Sequence, residues 1–265
     1  MRRTASILAA LALTGTAVLA VQTTASAAPT AKKTKPEITL KVDKTVLEVG
    51  KKVTLKGKIT PKKGTKGDKV IVKQKTGDKA WKTQAKVKVN RKGKFTWSDK
   101  PTSAQVRKYK VVLPKTKKHA KAKSKPVTVS VGRWMQVNQV RRATAEGLYP
   151  KTVSVANTEY KRSLGTYNYY TGDMRFAEYN LFRKCYTLRT EVALTDDAPS
   201  NTSAVLRTEL DGTTKSTSTV DTLGTSTPLT VDLTNAYRIR FEIETDDVRP
   251  QAEAAFLSPE FLCSE

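Results

Sequence analysis

Apolar and polar residues alternate one for one through much of the chain, which is the period of a strand with one buried face. "KVIVKQK" (69–75) sets Val70 and Val72 against Lys69, Ile71, Lys73 and Lys75. "WKTQAKVKV" (81–89) sets Ala85, Val87 and Val89 against Lys86 and Lys88. "EITLKVD", "KKVTLKGKI", "GKFTW", "KYKVVLP" and "PVTVSV" complete a series of seven short strands over 37–131. Turn formers separate the runs, at Gly50, Pro61, Gly64, Gly67, Gly77, Gly93, Pro101 and Pro114. No apolar repeat of helical spacing interrupts them. The pattern predicts an antiparallel β-sandwich.

A stretch without clear alternation, "GRWMQVNQVRRATAEG" (132–147), reads as a connector, and strand patterns then resume. "CYTLRTEVAL" puts Leu188, Thr190, Val192 and Leu194 on one face and Thr187, Arg189 and Glu191 on the other. "AVLRTELDG" opposes Leu206 and Leu210 to Arg207 and Glu209, and Asp211-Gly212 is a strong hairpin signal. "TPLTVDL" is a further strand. "AYRIRFEIE" sends Tyr237, Ile239, Phe241 and Ile243 inward, and Arg238, Arg240, Glu242 and Glu244 outward. These outward faces mix both signs of charge, as cross-strand pairing on a wetted surface does. Residues 148–265 therefore predict a second, jelly-roll-like sandwich, and the fold class is all-β.

Charge divides the chain at the same place. Residues 32–131 carry 32 Lys and Arg against 6 Asp and Glu, whereas residues 132–265 carry 15 against 18. Two domains with different tasks account for that contrast. Ahead of them, Arg2-Arg3, the apolar run Ile7–Val21 and Ala25-Ser26-Ala27 form a secretory signal peptide over 1–27, with 28–36 as linker. The run is too short for a membrane span, which needs ~20 apolar residues. Adjacent Arg2-Arg3 admit twin-arginine export, but Thr4-Ala5-Ser6 match it poorly, so ordinary secretion is favoured. The chain is expected to be secreted, extracellular or associated with the cell envelope. In that oxidising setting the two cysteines, Cys185 and Cys263, most simply form one disulfide. Closing so long a loop stabilises by about 4 to 5 kcal/mol on the chain-entropy model.

The densest charge is "KTKKHAKAKSK" (115–125), with Lys115, Lys117, Lys118, Lys121, Lys123 and Lys125 around His119, the single histidine. It falls between the last two strands of the first sandwich, so it is a loop held at both ends, and His119 is expected to be exposed. One reading of the lysines is a solubilising coat that also guards strand edges. The other is a binding surface for a cell-wall or extracellular anionic polymer, because self-repulsion on this scale opposes compactness. Lysines offer point charges and no recognition helix is present, so nucleic acid binding is expected to be nonspecific, salt-sensitive and confined to the test tube.

Two family resemblances add to this. "VLEVGKKVTLKGKITP", "GDKAWKTQ", "NRKGKFTW" and "RKYKVVLP" make the first segment similar to immunoglobulin-like modules of secreted actinobacterial proteins, which implies a spacer or adhesion unit. "EYKRSLG", "YNLFRKCYTLRTEVALTDDAPSNTSAVLRTELDGT", "PLTVDLTNAYRIRFEIETDD" and "AAFLSPEFLC" make residues 148–263 resemble the NPCBM modules, a class of carbohydrate-binding module attached to secreted glycosidases. That resemblance implies a galactose-binding-like jelly roll, glycan binding at loops on one end, and a Cys185–Cys263 bridge. The chain departs from the family at Val192–Asp197 and Lys161–Gly165, and where a histidine is common it has Tyr167-Asn168-Tyr169-Tyr170.

On chemistry alone, "GTYNYYTGD" (165–173) is the best ligand loop. The rings of Tyr167, Tyr169 and Tyr170 suit stacking on a pyranose, and Asn168 and Asp173 suit its hydroxyls. Tyrosines packing under a loop are the alternative. Asp196-Asp197 and Asp246-Asp247 are calcium candidates or solvated turn residues, and no other cofactor is implied. Glu242 and Glu244 sit mid-strand beside Arg240 with no cleft implied, and the chain has no nucleophile elbow, zinc motif or phosphate loop. The expectation is a non-catalytic binding protein. The alternative is a structural or adhesion protein whose second domain makes protein contacts without sugar.

Overall fold

The computed structural model describes residues 35–61, 65–166, 174–245 and 254–265. The expected signal peptide (1–27) and most of the expected linker (28–36) lie outside these. Nine strands build the first sandwich: β1 (Glu37–Val42), β2 (Val46–Glu48), β3 (Val53–Thr60), β4 (Lys69–Thr76), β5 (Lys82–Lys88), β6 (Lys94–Asp99), β7 (Arg107–Leu113), β8 (Ala122–Lys123) and β9 (Val127–Gln136). One sheet has the order β1-β3-β6 and the facing layer the order β9-β7-β4-β5. The short β2 runs parallel to β9, and β8 adds to the edge beside β7. Val53, Leu55, Val70, Val72, Tyr109 and Val129 meet between the layers, each fully buried or nearly so. Gly57 lies opposite Phe95, and a Cβ there would sit 2.0 Å from the ring, so the ring fills the space the glycine leaves.

The second sandwich comprises β10 (Arg142–Glu146), β11 (Leu148–Val155), β12 (Thr158–Thr166), β13 (Met174–Asn180), β14 (Cys185–Leu194), β15 (Ala204–Leu210), β16 (Thr213–Val220), β17 (Ser226–Asp232), β18 (Arg238–Thr245) and β19 (Ala254–Cys263). One sheet has the order β10-β13-β18-β15-β16, and the other carries β11, β12, β19, β14 and β17. Phe241, Phe256, Phe261 and Tyr179 stack edge-on or tilted at its centre, with Phe241 and Phe256 centroids 4.9 Å apart. Each such ring stabilises by about 1.5 to 3 kcal/mol through burial, and each pair adds about 1 kcal/mol. Burial also pushes the Tyr179 hydroxyl up to about 12. The β15–β16 hairpin turns at Asp211 and Gly212, with φ of 50° and 81°, as its two residues foretold. Cys185 and Cys263 face each other across β14 and β19 and are bridged. Among the described residues no helix is long and apolar enough to cross a membrane.

The expected connector 132–147 is different in the structure. β9 runs through residue 132 without a break and changes partners along its length. Val127, Thr128 and Val129 pair with β7, and Ser130, Val131 and Gly132 with β2. Arg133 to Gln136 then pair with β19 of the second sandwich. A 3-10 turn at Val137–Gln139 and β10 take up most of the rest. Gly132 permits the handover, because a Cβ there would lie 2.9 Å from Leu262 Cγ and 3.1 Å from the Cys263 backbone. Charge changes at this glycine; the backbone does not.

Candidate functional site

Antiparallel register sets lysine directly against lysine in the first sandwich. The pairs are Lys41–Lys56, Lys58–Lys94, Lys69–Lys88, Lys73–Lys110 and Lys75–Lys108. Like charges directly opposite one another destabilise a sheet. Three of the pairs border surface grooves that share residues. A groove of about 350 Å³ between β4, β7 and β8 has Lys73, Lys110, Lys115, Lys121 and Lys123 around a floor of Ile71, Val112 and Pro114. A second, of about 860 Å³, continues from Lys121 and Lys123 past Lys125 to Lys35 and Lys41. The third, of about 630 Å³, starts at Thr39 and Lys41 and reaches Lys56, Lys58 and Lys94. Together they make one band that passes from one sheet over the edge onto the other.

Of the six loop lysines, the band takes up Lys115, Lys121, Lys123 and Lys125, and leaves Lys117 and Lys118 exposed outside it. It adds Lys73 and Lys110, which sequence reading missed. Their signal lies in register, since they are outward positions of two strands nearly forty residues apart that pair only in the fold. Lys110 Nζ rests 3.9 Å from the Trp81 ring centroid. Desolvation, then Lys123 and Lys73, hold its pKa below the ordinary lysine value.

His119 is the clear correction. Expected on the surface, it is 1% exposed, with Nε2 2.7 Å from Asp68 Oδ2 and Nδ1 3.2 Å from the Ala120 carbonyl. Thr116 Oγ1 accepts from the Lys118 and His119 amides, and Ser124 Oγ accepts from the Val111 amide. The histidine pins the loop to the turn before β4, and the lysines are presented from that anchor. Lysine neighbours suggested solvent, while the residue that decides the matter is 51 positions away.

Of the tyrosine loop, Tyr167, Asn168, Tyr169, Tyr170 and Asp173 lie outside the described residues, as do Asp246 and Asp247. Asp196 is committed locally. It accepts from Ser154 Oγ (2.7 Å) and from the amides of Ala156 (2.7 Å) and Asn157 (2.9 Å), closing the β11–β12 turn. The Ser154 bond leads the causes that lower its pKa. Among the described residues no three acidic, histidine or cysteine side chains converge as a metal site.

Next to β18, Tyr237 also departs from expectation. It precedes the strand, is 46% exposed and meets Phe182 edge-on at 5.5 Å. Its backbone amide is tied to Asp211 Oδ2, and this bond holds the residue at the turn instead of in the core. The carboxylates of this sheet are paired with arginines, and Glu242, expected to face outward, is buried at 6% exposure beside Arg240. Glu178 accepts from Arg238 and Arg240, Glu242 from Arg240 and Glu244 from Arg207. Across the other sheet a groove of about 340 Å³ exposes Tyr160, Glu191 and Ser258 beside Arg189, whose Nη2 lies 2.7 Å from Glu260 Oε2.

No family model matches the chain, and no curated protein matches it. Among solved structures it is similar to the M60 catalytic domain with the CBM51-1 and CBM51-2 domains of Clostridium perfringens ZmpB. The identity is 11% and the TM-score 0.42, over 85% of this chain and 31% of that one. The CBM51-2 and INT domains of ZmpB in complex with GlcNAc follow at 13% and 0.41, over 85% and 48%. The CBM51 of Clostridium perfringens GH95 in complex with methyl-galactose gives 13% and 0.39, over 48% and 99%. The chain thus spans from a third to a half of the ZmpB structures' own lengths.

Proposed function

We propose that this is a secreted, non-catalytic binding protein that holds an anionic cell-wall or extracellular polymer along its lysine band and a glycan through its second sandwich. The observation that carries the reading is the set of lysine–lysine register pairs at the grooves. A solubilising coat gains nothing by placing like charges directly opposite each other. A partner that supplies a row of negative groups relieves every pair at once. Three joined grooves suit a flexible linear polymer more than a compact ligand, and lysine suits charge recognition without base readout. The glycan half rests on the NPCBM resemblance and on the aromatic loop over 167–170. The carboxylates of the second sandwich that face one another are engaged by arginines, which supports binding over bond cleavage.

The test is retention of the full mature chain on purified cell walls at increasing salt. Log affinity should fall linearly with log salt. Lys73→Gln/Lys110→Gln/Lys123→Gln should flatten the slope, and Lys117→Gln/Lys118→Gln should change it less. Retention that ignores salt, or equal effects of both variants, refutes the band. A glycan array with Tyr169→Ala as the negative control tests the second half, and no binding above that control refutes it.

A further inference from the structure

Arg107, at the start of β7, is a cation of a different kind from the lysines around it. It is 8% exposed, opposite Thr76 in the register, and its Nη2 donates to Ser103 Oγ at 3.0 Å. Its Nε is buried with no hydrogen-bond partner, and among the described residues no carboxylate pairs with it. The nearby Asp99 is engaged elsewhere, accepting from Tyr109 Oη at 2.6 Å and from Gln74 Nε2 at 3.0 Å. A buried guanidinium donor without an acceptor costs free energy unless something supplies one.

Arg107 lines a groove of about 260 Å³ at the end of the sandwich, outside the lysine band. Its walls also include Gln84, Gln105, Thr102, Lys79 and Lys82, and among the described residues no acidic side chain lines it. The segment that forms one side is fixed by backbone bonds at Pro101, Ala104 and Val106, which accept from Gly50, Glu265 and Gly77. The groove is therefore held in shape before any ligand arrives.

We infer that this groove binds one carboxylated sugar unit, with the carboxylate on Arg107. Arg107 lines the groove, and its guanidinium, with Ser103 as its one hydrogen-bonded side-chain partner among the described residues, keeps N–H donors for a carboxylate. Lys79 and Lys82 add charge at the rim. Amides and hydroxyls both donate and accept, as the several hydroxyls of a sugar do. The inference goes beyond the lysine band, and neither depends on the other.

The experiment is titration of the full mature chain with galacturonate, read from the Arg107 Nε–Hε resonance. That resonance is assigned by its disappearance in the Arg107→Lys variant, whose side chain has no such group. A saturable shift is expected, with galactose giving none at the same concentrations. Arg107→Gln should weaken binding about tenfold or more, as loss of a charge-assisted pair does. If that variant fails to fold, the exposed Gln84→Ala and Lys82→Ala should each weaken it severalfold in a folded protein. Absence of a saturable shift overturns the inference. Equal affinity for acetate or inorganic phosphate reduces the groove to a bare anion site and overturns the saccharide assignment, and tighter binding of a peptide carboxylate overturns it likewise. Loss of galacturonate binding in Lys73→Gln/Lys110→Gln/Lys123→Gln assigns the sugar to the band and also overturns it. A failed salt test of the band leaves this result standing.

Discussion

The backbone amide of Glu265, the final residue, donates to the carbonyl of Ala104 at 2.7 Å, so the end of the second sandwich is fastened to the first. Arg133 Nη2 reaches Glu265 Oε1 at 2.9 Å beside it, and Tyr186 Oη donates to Ser264 Oγ. The ion pair is more than half exposed and adds little, about 0 to 1 kcal/mol. The buried bonds contribute more, about 1 kcal/mol each.

Removing Ser264 and Glu265 should therefore lower stability by about 1 to 3 kcal/mol. Gly132→Ala should cost a similar amount by overpacking, because its Cβ meets backbone at Cys263 that cannot give way. Denaturant unfolding of both variants checks this. A midpoint equal to that of the unaltered protein in both cases shows the junction to be incidental.

His119→Ala removes the partner of Asp68 and the anchor of the lysine loop. Stability should drop by about 1 to 3 kcal/mol, from the lost hydrogen bond and the space left by the buried imidazole. Polymer affinity should also drop, although the substitution removes no lysine. Unfolding and wall retention measured on one preparation separate the two effects. Unchanged retention means that the anchor does not shape the band.

Lys110 gives a pH dependence. Its folded pKa lies below the ordinary value, chiefly by desolvation, so on raising the pH it loses its proton earlier than an unperturbed lysine does. A bound anion favours the charged form, and affinity should begin to decline below the ordinary lysine range. Lys110→Arg keeps its charge throughout and should delay that decline. Affinity measured from neutral to alkaline pH decides this, and identical profiles contradict it.

Asp196 works at the acid end. Its folded pKa is lowered by Ser154 and by the Asn157 and Ala156 amides. The stability this brings is present above the unfolded value, about 3.9, and is lost as pH falls through the lower folded value. The unaltered protein should be more stable than Asp196→Asn near neutrality, with the gap closing below about pH 4. A constant gap in melting temperature across that range refutes the role.

The long alternating strands were legible because burial on one face leaves a period of two in the sequence. β18 shows it from Ile239 to Ile243, and β4 from Val70 to Val72. β2 and β8 were not legible, being three and two residues long, too short to show a period. The continuation of β9 was hidden by Gly132, which has no side chain to alternate, and by a charge change that suggested a boundary. At the site, the loop lysines could be read locally. Lys73 beside Lys110, His119 on Asp68 and the buried Arg107 are facts of register and enclosure, and a linear pattern does not carry them.

The strand that passes from one sandwich to the other makes the protein a caliper instead of a tether. A flexible linker lets two sites search for targets at many separations, whereas a shared β-ladder allows essentially one span. Under the proposed function, a target surface is gripped at both ends only where its own anionic and sugar groups recur at that span. Elsewhere the second contact adds nothing, and selectivity comes from the spacing of the target as much as from its chemistry.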